Sequence, residues 1–137
     1  MGLQTLLTRK DDYFVDLGPR VTIAERANAD LFVSIHANSM PGNRSDVNGL
    51  ETYYFSSGER LARTIHRSIL QNVNTRDRRV RKARFYVLRK SSMPSVLVEV
   101  GFVTGREDAP RLATSAYRKQ MAAAIARGIL QYIKYNF

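Results

Sequence analysis

The sequence predicts a single α/β domain with a mixed, mostly parallel twisted sheet and helices on both faces. Three observations predict it. Short β-branched runs (Leu31 to Asn38, Leu50 to Phe55, Ser95 to Val100) alternate with segments of helical apolar spacing. Strands separated by helices favour parallel pairing. At 137 residues, with no internal repeat or flexible linker, the chain fits one domain, 1–137, that buries roughly two thirds of its unfolded surface.

Taken in order, Leu3 to Arg9 is expected to be a short strand, followed by a polar connection. Gly18-Pro19 marks a helix start, since proline is accommodated in a first turn. Val21, Ala24 and Ala27, with Ile23 beside them, continue that helix for two to three turns. Leu31 to Asn38 is a buried strand ending in His36, and Met40 to Asn48 is a loop rich in Pro, Gly and Asn. After Leu50 to Phe55, Ser56 or Ser57 can cap a helix in which Leu61, Ile65, Ile69 and Val73 recur every four residues. The basic run Arg76 to Arg84 is expected to be a loop, Phe85 to Arg89 a short strand, and Ser91 to Pro94 a turn. Ser95 to Val100 is the most apolar strand, broken only by Glu99 and closed by Gly101. A short helix over Glu107 to Ala113 precedes a long one capped by Ser115, its face marked by Tyr117, Met121, Ile125, Gly128 and Tyr132.

Composition narrows the chemistry. There are no cysteines, so disulfides and thiolate metal sites are excluded and a metal must use His, Asp or Glu. The net charge of +10 favours an anionic partner, whether nucleic acid, lipid or an acidic wall polymer, without choosing among them. No recognised nucleic-acid motif accompanies the arginine cluster, so a nucleic-acid-binding module ranks below a cell-wall function. No apolar run reaches the roughly 20 residues of a membrane span, and the amino terminus lacks the pattern of a secretory signal.

Two polar residues interrupt or end apolar strands. His36 alone is more often a hydrogen-bonded rim histidine than a ligand. Glu99 inside Val-Leu-Val-Glu-Val requires a cation, a hydrogen-bond partner or a catalytic reason. If both stand at one sheet edge, they resemble a hydrolytic metal site in which His binds the ion and Glu exchanges a proton with bound water. Glu51 at the start of a Tyr-rich strand either pairs with a basic residue or lines the groove, and Arg89 is a second weak candidate for substrate contact. His66, beside Arg67 on a helix, is expected to face solvent rather than bind metal.

Arg20 to Asn38, Gly49-Leu50-Glu51-Thr52-Tyr53-Tyr54-Phe55, Arg84 to Arg89 and Met93 to Phe102 together resemble, in order, the zinc-dependent N-acetylmuramoyl-L-alanine amidases. That resemblance covers nearly the whole chain. It implies a Zn2+ cofactor, His36 as a zinc ligand, Glu99 as the catalytic carboxylate, and peptidoglycan as substrate, in the periplasm or cell wall. The chain departs from the family pattern where it matters. The family uses two His and one Glu as ligands, and the first His and the Glu belong to an initial strand and helix not found here. The domain is therefore expected to be truncated at its amino-terminal side, with an incomplete zinc site and an exposed sheet edge; its oligomeric state stays open. Glu25 stands where the family often has Asn, Arg79 where a Gly is common, and Thr104-Gly105 where Ser-Asn is usual.

Overall fold

The computed structural model describes residues 3–42 and 44–137. Nine elements follow in order: α1 (Leu17–Arg26), β1 (Phe32–Asn38), β2 (Leu50–Tyr54), α2 (Glu59–Asn72), β3 (Asp77–Lys82), α3 (Tyr86–Lys90), β4 (Ser95–Phe102), α4 (Asp108–Leu112) and α5 (Ser115–Asn136). The four strands form one sheet in the order β1-β4-β2-β3. β1 pairs with β4 and β2 with β3 in parallel, while β2 and β4 run antiparallel. The sheet is mixed and mostly parallel, as predicted.

Strand alternation divides the core in two. On one face Leu50, Val96, Val98 and Val100 meet Leu61, Ile65 and Ile69 of α2 and Met121, Ala124 and Ile125 of α5. On the other face Phe32 and Leu97 meet Val21 and Ala24 of α1 and Val87 and Leu88 of α3. The second layer is smaller, and it is the one that leaves the candidate site open.

Helix starts follow local chemistry. Asp16 accepts from the backbone N–H of Leu17 and starts α1 one residue before the Gly-Pro pair. Thr114, not Ser115, caps α5, its hydroxyl accepting from Tyr117 N. Gly58 takes the position before α2 with no side-chain cap, so neither Ser56 nor Ser57 does this work. Glu25 accepts from both the N–H and the hydroxyl of Ser92 at 2.7 Å, which ties α1 to the turn before β4.

Three expected elements differ. Leu3 to Arg9 forms no strand; Leu3, Leu6 and Leu7 stay 49%, 61% and 59% exposed, because β-propensity is realised only against a ladder partner and none pairs with them among the described residues. The basic run is not a loop but contains β3. Its charges are compatible with a strand because β3 is an edge, where arginine and lysine blunt unwanted pairing. Phe85 to Arg89 is not a strand but the one-turn α3: Val87 and Leu88 are both buried, and consecutive buried side chains fit a helix rather than a half-exposed strand.

Arg79 adopts the left-handed backbone that a glycine would take without strain. Its φ is +79°, where the β2–β3 register shifts, and Asp77 Oδ1 accepts from its N–H at 2.8 Å. The left-handed conformation costs a β-carbon-bearing residue about 1–2 kcal/mol. The Asp77 hydrogen bond offsets part of that.

Candidate active site

In the β1–β4 ladder His36 stands opposite Glu99, and in the β4–β2 ladder Glu99 stands opposite Glu51. Residues opposite one another on paired strands point to the same face. His36, Glu99 and Glu51 therefore form one row across three strands, on the face that carries α1 and α3. They stand toward the carboxyl end of the parallel β1–β4 pair, where open α/β sheets bind ligands.

Each member is held differently. Ser34, two residues earlier on the same face of β1, places its Oγ 2.7 Å from His36 Nε2. Burial, then the positive charges of Arg20 and Arg9, hold the His36 pKa below its ordinary value. The imidazole is thus neutral at pH 7, the form that donates a lone pair. Glu99 is the opposite case. Its Oε2 is buried with no hydrogen-bond partner, and burial followed by the charge of Glu51 raises its pKa. An orphaned buried carboxylate oxygen beside a neutral imidazole marks a place built for something other than protein.

Glu51 is only 4% exposed and lies 3.3 Å from Arg81 Nε and 3.6 Å from Arg78 Nε. The second distance is an ionic contact, too long for a hydrogen bond. Burial, then the charge of Glu51, push the Tyr53 phenol pKa up to about 12. Glu51 is thus paired with basic residues, in the same row as Glu99. Arg78 and Arg81 belong to the cluster that suggested nucleic acid, and Arg76 pairs with Glu107 at 2.6 Å. Three arginines of that cluster are thus paired with carboxylates of the same chain.

Arg89 does not join the row. It is exposed, donates to the Arg84 carbonyl at 3.0 Å and lies 6.0 Å from the Tyr86 ring centroid. His66 does not face solvent. It is 5% exposed on the opposite sheet face, with Thr52 Oγ1 2.9 Å from Nδ1 and Asp77 Oδ1 2.8 Å from Nε2, and it ties α2 to β2 and β3. The helical spacing Ala62, His66, Ile69 placed it on the flank of the buried stripe, a signal outweighed by its charged neighbour Arg67.

Sequence reasoning also missed Asp108. Buried to 3% exposure, it accepts with Oδ2 from the N–H of Gly49 at 2.7 Å and of Phe102 at 2.9 Å. Asn48 Oδ1 in turn accepts from the N–H groups of Glu107 and Asp108, each at 2.9 Å. These bonds fix the start of β2 and the end of β4, the two strand ends that carry Glu51 and Glu99.

With this geometry in place, comparison with known proteins is decisive. The sequence profile of the N-acetylmuramoyl-L-alanine amidases matches residues 1–131. The chain belongs to that family. It is 43% identical over 138 residues to the N-acetylmuramoyl-L-alanine amidase LytC of Bacillus subtilis, covering 97% of this chain but 27% of that protein. The amidase AmiC2 of Nostoc punctiforme superposes with a TM-score of 0.94 at 63% identity, over 96% of this chain and 73% of that one. The amidase of Clostridium difficile 630 gives 0.93 at 34% identity, over 98% and 74%. The amidase fold is therefore that of this chain, and the row of His36, Glu99 and Glu51 is its candidate centre.

The residues present can be held against the zinc that the family resemblance implies. A catalytic zinc takes three protein ligands and keeps one open position. Among the described residues no group of three His, Cys, Asp or Glu can hold a metal ion. Glu51 is engaged by Arg78 and Arg81, which leaves His36 and Glu99. That donor set does not fit a catalytic zinc.

A consequence for stability follows from Glu99. Its folded pKa lies above the ordinary 4.5, so the folded state binds more protons than the unfolded one as pH rises from 4.5. Stability falls through that window and stays lower at neutral pH. Glu99→Gln removes the charge and supplies an amide that can donate to Glu51. Thermal melts should show Glu99→Gln a few degrees more stable than wild type at pH 7, with the difference shrinking toward pH 4. A less stable variant at pH 7 contradicts the raised pKa.

Proposed function

We propose that this domain is built to hydrolyse the amide joining the lactyl group of N-acetylmuramic acid to L-alanine in peptidoglycan, with Glu99 as its proton carrier and the imidazole of His36 beside it. One observation supports this above the rest: in a member of the amidase family, a neutral imidazole stands in register beside a carboxylate whose inner oxygen has no partner. Water attacks the amide carbonyl carbon while Glu99 accepts its proton. The tetrahedral intermediate then breaks its C–N bond, and Glu99 returns the proton to the departing nitrogen. The products are the lactyl carboxylate and the free amino group of L-alanine. A raised carboxyl pKa suits both transfers, because the group must hold the proton between them. Such a reaction belongs outside the cytoplasmic membrane, in the periplasm or wall; among the described residues no helix is long and apolar enough to cross a membrane.

The incomplete donor set gives this reading a specific corollary. The 137-residue chain binds zinc weakly and releases stem peptides slowly or not at all. Isothermal calorimetry with Zn2+ and a muropeptide-release assay check this; tight one-to-one binding with robust turnover contradicts it. The same observation favours a second reading, a wall-binding member of the fold that no longer cuts. It predicts that Glu99→Gln leaves retention on purified peptidoglycan unchanged and that wild type releases no peptides under any zinc concentration.

A further inference from the structure

α2 and α5 enclose a groove of about 780 Å³ on the sheet face away from His36 and Glu99. Arg60, Arg63 and Arg67 line its α2 side, and Gln131 and Tyr135 its α5 side. The arginines fall at i, i+3 and i+7, so they form one stripe along about two helical turns. A second hollow of about 310 Å³ lies on the other flank of α2 and shares Arg63 and Arg67. Those two guanidinium groups therefore stand on a ridge between two concave surfaces.

The charge there is not balanced. Among the described residues Glu59 is the only carboxylate lining the larger groove, against three guanidinium groups, a local net of +2. Arg63 pairs with Glu59 at 2.9 Å and Arg60 donates to Asn136 at 3.0 Å. Arg67 has no carboxylate partner among the described residues. A solvated basic helix face needs no concavity and no matching wall. Here the opposite wall offers an amide and a phenol ring that is 76% exposed.

We propose that this groove is an exosite for an anionic glycan, a second segment of peptidoglycan bound remotely from the bond to be cut. The proposal rests on the peptidoglycan reading above. Guanidinium groups recognise carboxylates with two parallel hydrogen bonds, and stem peptides supply carboxylates. Amides match hydroxyl and N-acetyl groups, and an exposed phenol ring packs on a sugar face. A nucleic-acid track would favour uninterrupted cations along a phosphate backbone. Glu59 and the amides interrupt this one.

The test is retention of the intact chain on purified sacculi stripped of secondary polymers, read as a dissociation constant. Arg63→Glu/Arg67→Glu should weaken binding roughly tenfold or more, while the charge-matched control Arg26→Glu/Lys119→Glu, on exposed positions elsewhere, should change it less than about twofold. Circular dichroism confirms that both variants fold, and capping the sacculus carboxylates should remove the difference between them. Equal loss in the two variants, or none in the first, overturns the exosite. A duplex oligonucleotide bound as tightly through the same two arginines overturns the choice of ligand. Wild type that fails to bind sacculi overturns instead the peptidoglycan reading beneath it.

Discussion

Asp108→Ala is expected to lower the melting temperature by roughly 10–20 °C. The carboxylate accepts two buried backbone N–H groups from segments 53 residues apart in sequence, Gly49 and Phe102. Hydrogen bonds to a charged group are worth about 1.5–3 kcal/mol each, and their loss here leaves both N–H groups dry. For a domain of this length 1 kcal/mol corresponds to roughly 3–5 °C. Gly101 adds a steric side to the same contact, since its α-carbon approaches Asp108 so closely that a Cβ would lie 3.0 Å from Oδ2. Asp108→Asn keeps an acceptor and should cost less than half as much. Amide exchange distinguishes this account from general destabilisation: protection at Gly49 and Phe102 should fall before that of the central residues of β4. A melting temperature within a few degrees of wild type would show that water replaces the carboxylate.

The consequence reaches the site. Glu51 lies two residues after Gly49, and Glu99 three before Phe102. Their placement side by side depends on strand ends that Asp108 fixes from the start of α4, six residues beyond Phe102. Nothing in the sequence marks this, because an aspartate in the first turn of a short helix reads as an ordinary dipole-favouring residue. The strands themselves were legible. Leu31 to Asn38 and Ser95 to Val100 have the apolar, β-branched pattern of a buried strand, the first broken by Ser34 and His36 and the second by Glu99. That His36 and Glu99 are neighbours was not legible from patterning, since it depends on strand order, and the sheet inserts β4 between β1 and β2. Family resemblance supplied the pairing before any register did. β3 and α3 were misread for opposite reasons. Four basic side chains hid a strand whose backbone pairs regardless, and five residues of Phe-Tyr-Val-Leu-Arg are too few to separate a period of two from one of 3.6.

Gly128 carries the second large effect. It sits where α5 crosses α2, and a Cβ there would lie 2.7 Å from Ile65 Cα and 3.2 Å from its Cγ1. The same seam holds the buried bond from Ser68 Oγ to the Ala124 carbonyl at 2.7 Å, so the helices cannot part freely. Two effects oppose each other in Gly128→Ala. Helix propensity favours alanine by about 1 kcal/mol. Overpacking a closed interface costs about 1–3 kcal/mol, and here the obstacle is backbone rather than the end of a flexible side chain. The clash should win by about 1 kcal/mol for alanine and by about 3 kcal/mol or more for leucine, whose branch has no space at all. Urea unfolding at constant m-value measures both. Because the shortest contact is to Cα, trimming the partner by Ile65→Ala should not rescue Gly128→Ala, and a double-mutant cycle should return a coupling near zero. A stabilised Gly128→Ala, or full rescue by Ile65→Ala, would mean that the two helices are held apart by side chains and that the seam is looser than its geometry indicates.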